Sequence, residues 1–469
     1  MKNAELGEKE KKRREQMLFG NKTSALFFLA LPLVFYNSLG QIFQLADTFI
    51  ASSLSANVVS TVSFVSQIEK MITAIGSGLS VGGGILIARS FGEGNTQNVQ
   101  KQASTLFFLS FFIGIAVLLV IIPLMYPLLR LFRMPDDLLS SGVLYSSLSI
   151  GSVIFQFVNT IYFSIQKSQG NTKSIMWGNL LVLFVKTSMN IFTLHLVKNG
   201  KIEHENAMYF LPVATIFAHF LLTLIAIKSL FSKKNPLCLS IRAVEFKRNF
   251  LLPLSSLSIP VFLEKFVFAA GKAIVNSLCA SFGSTVVGAL GVSDRICGLS
   301  TNPINGFQEA ESSLVANNLG NTNVKRAIGF FYRSLIFNLT FVLILFFVTG
   351  FFKESIIDLF AKGNANFASE IEKIYFYERL DTILISVNTS VMGLLYGFGR
   401  TKIAMILNIV RLFCYRIPPL LIFLKVPILK NTFGTGAVGL SMLISNSLVG
   451  ITAGIVALIF IKKIKKSNC

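Results

Sequence analysis

Apolar residues in this chain come in long unbroken runs, each followed by a short polar stretch. The hydrocarbon core of a bilayer is about 30 Å thick and needs roughly twenty helical residues to cross it. The runs meet that length at approximately 24–54, 57–90, 103–129, 138–166, 174–197, 207–231, 252–282, 285–316, 328–352, 370–398, 402–425 and 433–462. Membrane strands would instead show short segments of alternating polarity, which this chain lacks. Proline and glycine recur inside the runs (Pro32, Pro260, Pro303, Gly76, Gly78), as membrane helices tolerate. The second and eighth runs are long enough to tilt or protrude. The pattern predicts an all-α integral membrane protein with twelve transmembrane helices.

The runs repeat. Shifting the sequence by 228 residues lays Pro32 on Pro260, Val58-Val59 on Val286-Val287, Ile68 on Ile296 and Gly78 on Gly306. It also lays Gly92-Glu93-Gly94-Asn95 on Gly320-Asn321-Thr322-Asn323. A shift of 229 lays Val158-Asn159-Thr160 on Val387-Asn388-Thr389, and Gly170-Asn171-Thr172-Lys173 on Gly399-Arg400-Thr401-Lys402. The boundaries that follow are a basic segment at 1–23, a first lobe at 24–231, a linker at 232–249, a second lobe at 250–462 and a basic tail at 463–469. Six spans per unit is an even number, so the two pseudo-symmetric six-helix bundles insert with the same orientation, as a parallel repeat.

Composition agrees. Of 469 residues, 53% are hydrophobic and only 14% charged, against about 25% charged in soluble proteins. The net charge of +21 invites a nucleic-acid reading, but the basic residues cluster in alternate loops and at both ends, as cytoplasmic segments do. The expectation is a multi-pass protein of the cell (plasma or inner) membrane with both termini cytoplasmic, partnered by the lipid bilayer and no nucleic acid. The charged first 22 residues lack an apolar signal region, so span 1 should remain uncleaved. Five scattered cysteines and three histidines make no metal spacing. Gly92-Glu93-Gly94-Asn95 lacks the Lys-Ser/Thr of a phosphate loop. No nucleophile–base pair appears, so no enzyme, no nucleotide and no cofactor are expected.

Ionisable residues at membrane depth carry the candidate chemistry, because each costs about 2.5 to 3.5 kcal/mol on insertion scales. Asp47 is the only formal charge in the run Leu26 to Leu54. It adjoins a polar stripe of Asn37, Gln41, Gln44 and Thr48. A semi-buried Asp there could take up a cation on one side and release it on the other. Pro32 removes a backbone donor fifteen residues earlier and offers a bending point. Asn190 shares a face with Asn179, Lys186 and Thr193. The second lobe is richer in charge: Glu264, Lys265, Lys272, Asp294, Arg295, Glu309, Glu311, Glu378, Asp381, Arg411 and Arg416, with Asn388 on the face of Asp381. Asp47 and Asn190 are the candidates for cation coupling. Gln44, Lys186, Glu264, Lys272, Asp294, Asp381 and Asn388 are candidates for a cavity lining or a second cation site.

The chain resembles the multidrug and toxic compound extrusion (MATE) transporters over essentially its whole length. The resemblance rests on Leu29-Ala30-Leu31-Pro32-Leu33, Leu45-Ala46-Asp47-Thr48-Phe49, Gly76-Ser77-Gly78-Leu79-Ser80-Val81-Gly82 and Ala88-Arg89-Ser90-Phe91-Gly92-Glu93-Gly94-Asn95, with weaker second-half copies. It implies a MATE-like fold and a monomer that exports small organic compounds by antiport of protons or sodium ions. It also implies coupling roles for Asp47, Pro32 and Asn190. A second Asp found four residues after that Asn in many proton-coupled members is Leu194 here. Glu264 and Asp381 fall about one turn from the acids of the sodium-coupled branch. A flippase for lipids or lipid-linked saccharides, from the same wider superfamily, is the alternative.

Overall fold

The computed structural model describes residues 6–467 except 55, 133, 135, 233–234, 236 and 362, and leaves undescribed the side chains of 44–49, 51–57, 59–60, 63, 137, 204–205, 284 and 467. The described residues form α-helices and a single 3-10 turn, Ile241–Ala243. In the first half the helices are α1 (Glu8–Leu18), α2 (Lys22–Leu54), α3 (Ala56–Glu93), α4 (Thr96–Ile121), α5 (Met125–Leu131), α6 (Asp136–Gly151), α7 (Val153–Ser168), α8 (Thr172–Lys198), α9 (His204–Ala207) and α10 (Phe210–Leu230). The second half adds α11 (Arg248–Ala280), α12 (Ser284–Gly320), α13 (Val324–Phe351), α14 (Lys353–Ala361), α15 (Ala365–Gly397), α16 (Thr401–Phe413), α17 (Ile417–Lys425), α18 (Pro427–Phe433) and α19 (Gly436–Ser467).

The repeat is written into the turns. Asn95 caps α4 by accepting from the Asn98 N–H at 3.0 Å, and Asn323 caps α13 by accepting from the Arg326 N–H at 3.0 Å. Ahead of each cap sits a left-handed residue, Gly94 at φ 79° and its counterpart Thr322 at φ 56°. Thr322 is the non-glycine exception among the described residues. The second pair of turns places Gly170 at φ 73° and Gly399 at φ 72°, the conformation that closes helix C-termini and favours glycine. Each is followed by a matching backbone bond, Asn171 N–H to Gln166 O at 2.8 Å and Arg400 N–H to Leu395 O at 2.7 Å.

Eleven described helical segments are long and apolar enough to cross a membrane. The twelfth expected span exists as the 37-residue α12, but its composition is too polar to meet that measure. It carries Asp294, Arg295, Asn302, Asn305, Gln308, Glu309 and Glu311. It can do so because it packs against α13 and α15 inside its bundle. Elsewhere the apolar surface faces outward: Leu119 is 72% exposed, Phe184 70% and Phe347 67%. Such broad exposed apolar area belongs against lipid tails. The expected span 402–425 is interrupted, with α16 ending at Phe413 and α17 starting at Ile417. Pro418 and Pro419 stand in the first turn of the new helix, where the missing N–H of proline costs nothing, whereas proline cannot continue the preceding helix.

The chain packs as two compact units. One contains Met1–Phe19 and Ile42–Phe266, the other Gly20–Gln41 and Val267–Cys469. The division runs through the middle of α2 and α11, whereas apolar runs alone suggest boundaries at helix ends. Glycines explain how the proline-bearing half-helices seat. A Cβ on Gly306 of α12 would lie 2.5 Å from the Val34 backbone nitrogen, two residues past Pro32. A Cβ on Gly78 of α3 would lie 2.7 Å from the Ser258 carbonyl oxygen, two residues before Pro260. In the second unit, Phe27 then packs edge-on against Phe337 at 4.5 Å and Phe307 at 6.3 Å.

In the first unit the basic N-terminal segment is anchored. Arg14 donates to the carbonyls of Phe91 and Gly92 at 2.9 and 2.7 Å, where α3 ends and cations are favoured. The linker is docked too: Gln100 donates to Cys238 O at 2.6 Å, and Lys101 pairs with Glu245 at 2.8 Å. The hydrogen bond from Lys101 holds the Glu245 carboxyl below its ordinary value.

Candidate functional site

Ionisable side chains collect in the interior of the second unit. Lys272 on α11 pairs with Asp294 on α12 at 3.1 Å. Asp294 lies within hydrogen-bonding reach of Glu378 on α15. Ser293 donates its hydroxyl to Glu378. One turn further along α15, Asp381 sits beside Asn446 of α19 and under the charges of Arg411 and Arg416. Arg411 donates from Nε to Asn446 Oδ1 at 2.8 Å and stacks over the Phe268 ring at 5.3 Å. Ser445 bonds the Arg411 carbonyl at 2.8 Å.

Local sequence explains the arrangement. Glu378 and Asp381 are three apart on a helix and so share a face. Arg416 occupies the α16–α17 break forced by Pro418, which turns its guanidinium inward, where only 4% of the residue is exposed. Glu378 and Asp381 are equally enclosed. Three acids therefore face three bases, with Glu378, Asp381 and Arg416 buried and Lys272, Asp294 and Arg411 half-buried, and charge inside a bundle survives when it is paired in this way. Within it, Asp381 Oδ2 and Arg416 Nε make no hydrogen bond.

The first unit holds a smaller polar set. Glu69 on α3 is hydrogen-bonded to Ser149 on α6 and lies within the field of Lys186 on α8. Asn159 donates to the His219 carbonyl at 2.9 Å and accepts from Thr223 at 3.1 Å. Its repeat partner Asn388 is also buried, but its Oδ1 has no hydrogen bond. The shift of 229 that pairs the two asparagines replaces His219 by Leu448.

Of the residues singled out in the sequence, the structure brings Lys272, Asp294 and Asp381 into one network and adds Glu378, Arg411 and Arg416. Asn388 lies two turns along α15 from Asp381. Glu264 is buried and belongs to the first unit. Asn190 is buried and Lys186 half-buried on α8. Pro32 lies within α2, which continues helical through it. The side chains of Asp47 and Gln44 lie outside the described residues. Sequence reasoning passed over Glu69. Its signal was a charge inside an apolar span, masked by the adjoining Lys70.

Comparison with known proteins follows the same two halves. The MatE family profile matches residues 32–192 and again 260–422, offset by the repeat length. A probable multidrug resistance protein, NorM, from Thermotoga maritima is 24% identical over 403 residues, covering 85% of each chain. A MATE protein solved in complex with MaL6 superposes with a TM-score of 0.89 at 18% identity, covering 99% of this chain and all of the other. A MOP superfamily transporter from Pyrococcus furiosus superposes at 0.88, also at 18% identity, over 99% of both. With the family matched in both halves and the same fold seen throughout, the chain belongs to the MatE family of membrane transporters.

Proposed function

We propose that the chain is a secondary active exporter of small organic compounds of drug-like or toxic character. Antiport of protons or sodium ions drives the export, and the two repeated lobes give alternating access. The observation that carries this reading is the double MatE match, one in each half of the chain. The similarity to a probable multidrug resistance protein supports the choice of cargo class. A gradient supplies the energy, since the chain carries no phosphate-binding loop.

A coupling ion does work only if it binds two states differently. Asp47 and Asn190 are assigned that role, with Pro32 as the bending point of α2. The paired network of Lys272, Asp294, Glu378, Asp381, Arg411 and Arg416 is better suited to holding helices together and presenting a polar wall. Its charges already compensate one another. The protein acts as a monomer in the cell membrane, with both termini on the cytoplasmic side.

Cells carrying the transporter should accumulate several-fold less of a cationic dye such as ethidium than cells lacking it. Equal accumulation over a panel of cationic, neutral and anionic dyes would contradict the reading.

A further inference from the structure

One buried acid has no place in the network above. Glu311 on α12 is fully enclosed, 0% exposed. Both of its carboxyl oxygens are without a hydrogen-bond partner, and among the described residues no basic side chain acts on it. Isolated carboxylates are not buried in this way, because the desolvation cost is several kcal/mol. Something positive has to accompany it.

The surroundings say what. The Ser334 hydroxyl of α13 stands beside the carboxyl group, though neither completes a directed hydrogen bond. Ser334 and Asn338 are four apart and share a face of α13. Asn338 donates its amide N–H to Ser390 Oγ on α15 at 2.8 Å. With the amide nitrogen so engaged, Asn338 Oδ1 is left without a partner. Three residues beyond Ser390, Gly393 makes room for the acid. A Cβ there would lie 2.6 Å from Glu311 Oε2. Ser334, Asn338 and Ser390 are all fully buried. Two packed helices thus supply four buried oxygen atoms without a hydrogen-bond partner, both of Glu311 from α12 and Ser334 Oγ and Asn338 Oδ1 from α13. A proton would satisfy one or two of them. A hard monovalent cation accepts all four, and oxygen donors are what such ions select.

We propose that Glu311, Ser334 and Asn338 form a binding site for a monovalent metal ion of sodium's size within the second unit. The site is separate from Asp47 and does not depend on the assignment of coupling to that residue.

The test is radiolabelled-sodium binding to the purified full-length protein in lipid nanodiscs, with thermal unfolding in sodium chloride against choline chloride. The wild type is expected to bind sodium and to unfold at a higher temperature in its presence. Glu311→Gln keeps the shape, removes the charge, and should lose about one sodium ion per chain together with the thermal shift. Asn338→Ala should weaken sodium affinity by about tenfold or more. Asp47→Asn should retain the Glu311-dependent ion even if it exports nothing, which separates this site from the transport reading. The proposal is overturned if folded Glu311→Gln binds sodium as the wild type does. It is equally overturned if the wild type binds none. Should Glu311→Gln not fold, unchanged affinity in Asn338→Ala decides against the site.

Discussion

Dye export by the Asp47→Asn protein is expected to fall to the level of cells without the transporter, at unchanged abundance in the membrane. The substitution removes one oxygen's worth of charge and nothing of the shape. Only the ability to gain and lose a cation is deleted. A ligand with equal affinity for both states shifts nothing, so an amide in that place leaves the gradient without purchase on the conformational equilibrium. Passive exchange of dye down its own gradient could persist. Export at the wild-type rate by Asp47→Asn would remove Asp47 from the mechanism. The comparison is read by counting protein in the membrane alongside dye efflux.

The second large effect concerns packing. Gly306→Val should destabilise the protein by about 1 to 3 kcal/mol or more, seen as a lower unfolding temperature and reduced yield from membranes. A Cβ at this position would sit 2.5 Å from backbone of α2, and backbone cannot rotate aside as the end of a side chain can. The first half of α2 would have to move off α12, undoing the contacts of Phe27 with Phe307 and Phe337. Gly78→Val should behave alike, through Ser258 and Phe262. Gly291 on the same α12 has nothing within 4 Å of its would-be Cβ. Gly291→Ala should therefore be neutral or gain up to about 1 kcal/mol from helix propensity. If all three glycines respond equally, close helix approach is not what Gly306 and Gly78 provide.

Much of this architecture was open to a reader of residues alone. Long apolar runs place the helices, because a bilayer imposes a length that soluble folds do not. The duplicated strings around Pro32 and Pro260, and around Gly94-Asn95 and Thr322-Asn323, locate the repeat. The same strings build the matching caps and left-handed turns. Pro418-Pro419 signals the break in the eleventh span, though proline inside a membrane helix so often leaves it intact that the signal is weak. Pro32 itself is such a case.

What residues alone could not convey is partnership. Lys272 with Asp294, or Arg411 with Asn446, lie 22 and 35 positions apart. Nothing in hydropathy tells a paired charge from a bare one. Glu378 and Glu311 read alike as acids in polar-flecked spans. Packing gives one of them the company of Ser293 and Asp294, and leaves both carboxyl oxygens of the other without a hydrogen-bond partner. Similarly, the allegiance of the first half of α2 to the second unit depends on the Gly306 contact. A sequence records the glycine but not what leans on it.

The central claim is that an ion gradient drives organic compounds through this chain. Its most direct test is purified protein in sealed proteoliposomes loaded with ethidium, with a proton gradient imposed first and a sodium gradient second. The account predicts dye movement against its own concentration gradient, opposite in direction to one of the two ions and abolished when an ionophore collapses that gradient. Dye movement indifferent to both gradients, or requiring added nucleotide, would contradict it.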